Sequence, residues 1–329
     1  MHHGKISVNI AKGLKVLRKR IQAAKIPSSS LDETLNLATW NIREFGRRTR
    51  KKAAIHLIAE IMGQFDLISV VELRDNVKDL HRVLQILGPY WRVVYSDYNT
   101  DRAGNRERIA YVYDERAVTF TGLAAEADPI RKKMKITIKG KEVKEYRSEI
   151  TWWRSPFMAS FRAGDFDFIA ITAHIRWDTA GGEASRKRAL QLLADWIDKR
   201  NKEKHVIDKD IILMGDFNIP KVDDELYKAL TSKGLRMPSA LVGQHGANLA
   251  RDKSYDQILH YPKHTKTFTK HAGVLDFYKK NHKPLFPGTS MTKTQFTYQL
   301  SDHLPLWAQL DTDIDDEKLD QILNPKKHP

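Results

Sequence analysis

The 329-residue sequence contains no cysteine. This absence excludes disulfide bonds, thiolate metal sites and a thiol nucleophile, but it leaves the compartment open. Long apolar runs are missing too, so we expect no transmembrane segment, since a spanning helix needs about 20 such residues. The first 30 residues lack the continuous apolar segment of a signal peptide. We therefore expect a cytoplasmic protein, unless a signal peptide was removed, in which case it is secreted or periplasmic.

Acidic residues are the scarcer charged class, with 41 Asp and Glu against 56 Lys and Arg. The net charge of +15 indicates a polyanionic partner, which could be a nucleic acid, an anionic membrane surface or a phosphorylated substrate. A hydrophobic content of 41% and a chain of this length are typical of a globular protein with a large core.

The hydrophobic periodicity divides the chain into three regions. Residues 1–33 form a basic amphipathic helix with a Pro-Ser-Ser-Ser linker, either a helix packed on the surface of the domain or an arm for an anionic partner. Residues 34–312 alternate strands with helices and have a strand-rich middle, which predicts an α/β domain. Residues 313–329 form a charged tail that we expect to be frayed. Within the domain, the basic segment 131–147 predicts a hairpin that turns at Gly140, either a solvated face or a loop beside an anion site.

The stretch from Ile211 to Asn218 is an apolar strand that ends in Gly-Asp-Phe-Asn. Alternation beyond Gly215 would point Asp216 and Asn218 to the same side. Taken alone, the pair fits an Asx turn at a strand end as well as it fits an active site, because Asp and Asn are ordinary turn formers.

Polar residues recur at the predicted strand ends, and in layered α/β folds such ends gather at one edge of a sheet. The predicted ends carry Asn41, Glu72, Glu107, His174, Asp216 with Asn218, Asp256, and Asp302 with His303. Glu72 and Asp302, with Asn41 and Asp216 nearby, offer hard oxygen ligands that suit Mg²⁺, Mn²⁺ or Ca²⁺ rather than zinc. His174 and His303 are general acid/base candidates, and Glu107 and Asp256 are carboxylates able to orient them. This set predicts metal-assisted hydrolysis of a phosphate ester.

The sequence resembles the endonuclease/exonuclease/phosphatase superfamily, and within it the deoxyribonuclease I branch. The resemblance covers about residues 34–312 and rests on eight words in order: TWNIREF, VVELRD, RERIAYVYD, RSPF, ITAHIRWD, LMGDFN, SYDQIL and SDHLPL. It implies a four-layer α/β sandwich of two mixed β-sheets packed face to face with helices outside.

The resemblance also implies residue roles. His174 supported by Glu107, and His303 supported by Asp256, match the paired catalytic histidines. Glu72 matches the principal metal ligand, with Asn41 close by and Asp302 as a candidate second ligand. Asp216 and Asn218 match the pair that positions water and phosphate. Arg74 and Arg154 match the arginines that hold DNA.

One departure concerns the aromatic residue that the deoxyribonuclease I branch places two residues before Glu107, where this chain has Asn105. We expect a monomeric endonuclease of low sequence specificity that depends on a divalent metal, has DNA as its substrate and has no stable protein partner. The enzymatic alternative is a phosphodiesterase or phosphatase acting on a lipid or sugar phosphate. The non-enzymatic alternative is a nucleic-acid-binding module that binds DNA in chelator and forms no product.

Overall fold

The computed structural model describes residues 1–99, 105–148, 152, 154–177, 182–244 and 246–323. It contains two large mixed β-sheets packed face to face, with helices on their outer sides. The predicted four-layer α/β sandwich is therefore confirmed. Strands and helices are numbered below in chain order.

The six-stranded sheet has β1 near its centre, where a parallel β1–β2 pair is flanked by antiparallel strands. In spatial order its strands are β12 (Phe268–Val274), β13 (Leu306–Asp311), β1 (Thr34–Phe45), β2 (Leu67–Arg74), β4 (Glu107–Asp114) and β3 (Trp91–Tyr95).

The five-stranded sheet likewise has one parallel pair, β9–β10, among antiparallel neighbours. In spatial order its strands are β11 (Asp256–His260), β10 (Ile211–Asp216), β9 (Phe166–His174), β8 (Phe157–Ala163) and β5 (Thr119–Glu126). A separate hairpin consists of β6 (Arg131–Ile138) and β7 (Lys141–Ser148), which confirms the hairpin predicted for this segment.

The helices cover the outer faces, and the first four confirm helices expected from periodicity within residues 1–33, 51–65, 77–87 and 184–199. They are α1 (Val8–Ala23), α2 (Lys52–Met62), α3 (Lys78–Leu87), α4 (Gly182–Asn201), α5 (Glu225–Thr231), α6 (Lys293–Gln299) and α7 (Asp315–Leu323). The C-terminal segment was expected to be frayed, whereas residues Asp315–Leu323 form helix α7. Within the described ranges, each helix is too short or too polar to cross a lipid bilayer.

Two short helices that the periodicity missed, α5 and α6, are marked by side-chain caps. Asp224 accepts a hydrogen bond from the Tyr227 amide at 2.9 Å, and Thr292 forms a capping box with Gln295. Each helix has only seven residues, so the cap carries more information than the hydrophobic pattern does.

The interface between the sheets is apolar with a few satisfied polar groups. The hydroxyls of Ser69 on β2 and Thr172 on β9 lie 2.8 Å apart and join the sheets. The Tyr111 hydroxyl donates to the carbonyl oxygens of Phe157 and Ala170 at 2.9 and 3.0 Å. These three hydroxyl groups have partners across the interface, so they help to fix how one sheet lies on the other.

Gly215, the residue before the end of β10, is a position where only glycine fits. Its φ is +132°, and a Cβ atom there would lie 2.1 Å from the Ala173 carbonyl oxygen on β9. The close approach of β10 to β9 therefore depends on the missing side chain.

We expect Gly215→Ala to lower the free energy of unfolding by at least ~2 kcal/mol, because it adds a backbone clash to an unfavourable φ. Urea denaturation measures this loss. Gly122→Ala is the matched control, since Gly122 has a φ of +111° but open space around its Cβ position. An equal loss in the two variants would contradict the clash.

Candidate active site

Three neighbouring strands bring three ionisable side chains together at one end of the five-stranded sheet. Asp216 at the end of β10 is in register with His174 at the end of β9 and with Asp256 at the start of β11. The ends of the parallel strands and the start of the antiparallel strand necessarily meet at this edge. The topology thus accounts for a cluster whose members lie up to 82 positions apart.

One carboxylate oxygen, Asp216 Oδ2, lies at the centre of the cluster. His174 Nε2 lies 3.7 Å from it, His303 Nε2 lies 3.8 Å from it, and Asn41 Nδ2 donates to it at 3.0 Å. Asp216 is 2% exposed, so these groups meet where water has little access. Both imidazoles therefore direct the same ring nitrogen toward one point.

Each histidine is held at its other ring nitrogen by a carboxylate. His174 Nδ1 lies 2.9 Å from Glu107 Oε2, and His303 Nδ1 lies 2.7 Å from Asp256 Oδ2. A carboxylate at Nδ1 selects the tautomer with the proton on that nitrogen, which leaves Nε2 to accept or deliver a proton. The pairing that the resemblance implied is the pairing in the structure.

The environment of His303 favours its charged form. Burial disfavours the imidazolium, but the neighbouring charges of Asp256 and Asp216 outweigh it and hold the pKa of His303 well above its ordinary value.

Two buried arginines support Glu107. Arg154 Nε lies 2.9 Å from Glu107 Oε2 and its guanidinium also lies 3.1 Å from His174 Nδ1, while Arg74 Nη1 lies 3.6 Å from Glu107 Oε1. Arg74 also contacts Glu44 at 3.3 Å and donates to the carbonyl oxygen of Asn105. Both arginines are 8% exposed, and each contacts the Glu107–His174 pair. The contact with the substrate that the sequence predicted for them stays a prediction.

Glu72 and Asn41 lie at irregularities in their strands rather than at strand ends. The strand ends predicted at Asn41 and Glu72 are wrong, because β1 continues to Phe45 and β2 continues to Arg74. The register shifts just after Asn41 and between Val70 and Leu73, and Glu72 has a φ of +62°. Such bulges re-aim a side chain, and left-handed conformations at non-glycine residues cluster at functional sites.

The Glu72 carboxylate is held as an anion. Burial opposes this, but the charge of His174, hydrogen bonds from the Glu44 amide (2.8 Å) and Asn41 Nδ2 (3.0 Å), and the charge of His303 together lower the pKa of Glu72 to about 2. Because it remains ionised over the whole physiological range, Glu72 can serve as a permanent oxygen ligand.

A model of the Endonuclease/Exonuclease/phosphatase family matches residues 38–303, which carry all of these groups. The chain belongs to this family. The resemblance inferred from the sequence is thereby confirmed. Members of the family are hydrolases of phosphodiester or phosphate bonds and generally depend on a divalent metal. Among curated proteins, none matches the sequence significantly.

Several solved structures have the same fold. Human nocturnin, as its catalytic domain with bound sulfate, shares 13% identity over 86% of this chain and 95% of that chain, with a TM-score of 0.55. Mannosyl-6-phosphatase Bt3783 of Bacteroides thetaiotaomicron shares 17% over 83% and 98%, with a TM-score of 0.50. D. rerio TDP2 complexed with single-strand DNA product shares 13% over 84% and 98%, also with a TM-score of 0.50. At such identities the likeness establishes the fold alone.

The family's divalent metal fits the residues in this chain. Asn41 directs Nδ2 to two carboxylates, and its buried Oδ1 has no hydrogen-bond partner, which suits an oxygen ligand beside the ionised Glu72. A second group that could hold an ion combines Asp216, Asp256 and His303, with ligand atoms within 4.8 Å of one another. This combination was not predicted as a metal site, because Asp256 and His303 were assigned to proton transfer and Asp216 to the positioning of water and phosphate.

Asp302, the second candidate ligand, stands apart from Glu72 in its contacts. Its side chain is 43% exposed and its carboxylate lies 3.4 Å from Arg43 Nη1. The adjacent Ser301 was missed by sequence reasoning, although it begins the SDHLPL word. Its hydroxyl donates to the Asn41 carbonyl oxygen at 2.6 Å and accepts from the His303 amide at 3.0 Å, so it ties the metal side of the site to the histidine side.

Asp216 and Asn218 form an Asx turn and belong to the site at once. The Asn218 amide donates to Asp216 Oδ1 at 2.9 Å, and Asn218 Nδ2 donates to the Ile175 carbonyl oxygen at 2.6 Å. The expected alternation beyond Gly215 is wrong, because β10 ends at Asp216 and Asn218 has a φ of +52°. The turn holds Asp216 Oδ1 and leaves Oδ2 for the two histidines.

Two aromatic residues beside His303 were also missed. The ring of Tyr255 lies 6.0 Å from the His303 ring, and that of Trp177 lies 5.6 Å from Tyr255. Trp177 is 50% exposed. Their signal was proximity in sequence, since Tyr255 precedes Asp256 and Trp177 follows His174 by three positions.

Proposed function

We propose that this hydrolase is an endonuclease that depends on a divalent metal and cleaves phosphodiester bonds of DNA with low sequence specificity. The observation that carries the proposal is the pair of carboxylate-held histidines, His174 and His303, whose Nε2 atoms lie 3.7 and 3.8 Å from Asp216 Oδ2. Two proton-transfer groups are what an ester hydrolysis needs, one for the attacking water and one for the leaving oxygen.

The residues then divide the work as follows. One histidine accepts the proton of the attacking water, and the other delivers a proton to the leaving oxygen. Asp216 and Asn218 position the water and the phosphate, and Asn41 fixes Asp216 through its 3.0 Å hydrogen bond. Glu72 and Asn41 would hold the divalent ion, which when bound neutralises charge on the phosphoryl oxygens.

Charge and exposed aromatic groups support DNA as the substrate. The net charge of +15 favours a polymer of phosphates over one small anion. Tyr255 lies beside His303 and the exposed Trp177 lies against Tyr255, and such rings stack on bases without selecting a sequence. Among the solved structures of this fold, D. rerio TDP2 is complexed with a single-strand DNA product.

The second candidate is a phosphatase or phosphodiesterase that acts on a sugar or lipid phosphate. The fold match to a mannosyl-6-phosphatase favours it, and so does the burial of Arg74 and Arg154, which would suit a small anion. Side-by-side assays separate the two: cleavage of a labelled 30-base-pair duplex, and phosphate release from mannose 6-phosphate. Our proposal requires fragments from the duplex at a much higher kcat/KM, and the reverse order would support the phosphatase.

DNA binding should weaken steeply with salt. Each phosphate contact contributes a slope of about −0.9 to log K against log salt, so six to ten contacts lose about 10³- to 10⁵-fold in affinity between 50 and 200 mM. Fluorescence anisotropy with a labelled duplex in chelator measures this slope without cleavage. A flat response would contradict a polyanionic substrate.

A further inference from the structure

The β6–β7 hairpin is a charged projection that the active site does not use. It pairs Arg131 with Ser148 at its root, forms a sheet of its own, and is exposed along nearly the whole of both strands. From residue 131 to 148 it holds eight basic and two acidic residues, a net charge of +6. A lone two-stranded hairpin has little stability of its own. Because this hairpin is exposed, packing against the domain does not explain why the chain forms it.

The strand register sorts these residues onto two faces, since directly opposite residues of an antiparallel pair point to the same side. One face pairs Lys133 with Tyr146 and Lys135 with Lys144. The other pairs Met134 with Glu145 and Ile136 with Val143 at its centre, and it has Lys132 with Arg147 at the root and Ile138 with Lys141 at the tip. We call the first the cationic face; its charged and aromatic members are Arg131, Lys133, Lys135, Lys144, Tyr146 and one acid, Glu142, and its net charge is +3.

The cationic face carries unfavourable electrostatics that a polyanion would relieve. Lys135 and Lys144 are directly opposite, an arrangement that destabilises a hairpin. The ion pair between Lys135 and Glu142 at 2.8 Å offsets little, because both side chains are more than 60% exposed. Tyr146, in the same face, is 66% exposed.

The root of the hairpin is close to the catalytic groups along the chain. Only six positions separate Ser148 from Arg154, whose guanidinium lies 3.1 Å from His174 Nδ1. Six residues span at most about 20 Å. That distance corresponds to about six base pairs of a duplex, at about 3.4 Å per phosphate along each strand.

We propose that the cationic face binds the phosphate backbone of duplex DNA within about one helical turn of the scissile bond. This inference rests on the proposed function, in that the duplex it binds is the one the active site cleaves. A two-stranded ribbon has the dimensions to lie along a DNA groove. At the tip of the hairpin, Lys139 and Lys141 would be the first residues to enter a lipid surface. Because both carry a positive charge, the hairpin does not suit insertion into a membrane.

The test compares two triple variants with the same change in charge. K133Q/K135Q/K144Q neutralises the cationic face, and K12Q/K15Q/K19Q neutralises three exposed lysines on α1, which packs on α2. Affinity for a 30-base-pair duplex is measured by anisotropy in chelator, and turnover is measured on bis(p-nitrophenyl) phosphate with Mg²⁺. We expect the hairpin variant to bind the duplex at least ~10-fold more weakly than the α1 variant, with a salt slope smaller by up to about 3, and to keep wild-type turnover of the small ester.

Three results would overturn the inference: equal affinities of the two variants for the duplex, reduced turnover of the small ester in the hairpin variant alone, or binding to phosphatidylserine vesicles that needs these lysines while DNA binding does not. Failure of the proposed function gives a different result. A wild-type protein that binds the duplex through the hairpin lysines in chelator, yet cleaves no DNA with metal, would refute the nuclease and uphold the inference.

Discussion

Replacing either His174 or His303 with alanine should lower the rate of phosphodiester hydrolysis at least ~10²-fold, the low end of what a general acid or base contributes. Each imidazole has its Nδ1 held by a carboxylate and its Nε2 within 4 Å of Asp216 Oδ2. In the proposed mechanism neither can replace the other, because one histidine takes the proton of the attacking water and the other protonates the leaving oxygen. Initial rates on a duplex with saturating Mg²⁺ measure the loss.

His271→Ala is the matched control for these variants. His271 is exposed on β12, an edge strand of the six-stranded sheet that carries none of the site residues, so its loss should leave the rate unchanged. Unfolding curves for all three variants separate a loss of chemistry from a loss of fold. Near-normal turnover in His174→Ala or His303→Ala, with the fold intact, would remove that histidine from the mechanism.

Glu72→Gln should raise the Mg²⁺ concentration needed for half-maximal rate by at least ~10-fold, since even the loss of a group behind a metal ligand costs about 10- to 100-fold in affinity. The substitution keeps the shape of the side chain but removes its charge, and it replaces with an NH2 donor one of the two oxygens that accept from the Glu44 amide and from Asn41 Nδ2. The low pKa of Glu72, about 2, means that the wild-type charge is constant across the assay range. A metal titration of the rate measures the shift.

Two further carboxylates make this prediction specific. Glu225→Gln removes an exposed charge that pairs with Lys187 at 2.9 Å, and it should leave the titration unchanged. Asp302→Asn separates the two predicted ligands, because the contact of Asp302 with Arg43 leads us to expect a smaller shift than for Glu72. An unchanged titration for Glu72→Gln would contradict its role as the main ligand.

The site residues that could be predicted from the sequence are those at strand ends. His174, Asp216 and Asp256 were predicted beside apolar strands, and the register of β9, β10 and β11 then places them side by side. That His174 pairs with Glu107, and His303 with Asp256, came from the family resemblance, since no local pattern encodes a contact across 67 or 47 positions.

The features of the site that could not be predicted are places where the backbone departs from regular strand geometry. Glu72 reaches the site because its backbone has a φ of +62°, and no glycine or proline marks that position. Asn218 also has a positive φ, so the chain turns back there, whereas periodicity predicted that the strand continues through Asn218. The contacts that bring Ser301, Tyr255 and Trp177 into the site are with residues distant in sequence. Residue type alone does not reveal such contacts.

The most direct test of the account is to incubate supercoiled plasmid with the protein in Mg²⁺, Mn²⁺ or Ca²⁺, with and without chelator, beside the His174→Ala and His303→Ala variants. We predict that wild-type protein nicks and then linearises the plasmid with at least one of these ions, that chelator abolishes cleavage, and that both variants leave the plasmid largely supercoiled. Intact plasmid with wild-type protein in every ion would contradict the nuclease, and plasmid binding that persists unchanged in chelator with no product under any condition would indicate a binding module.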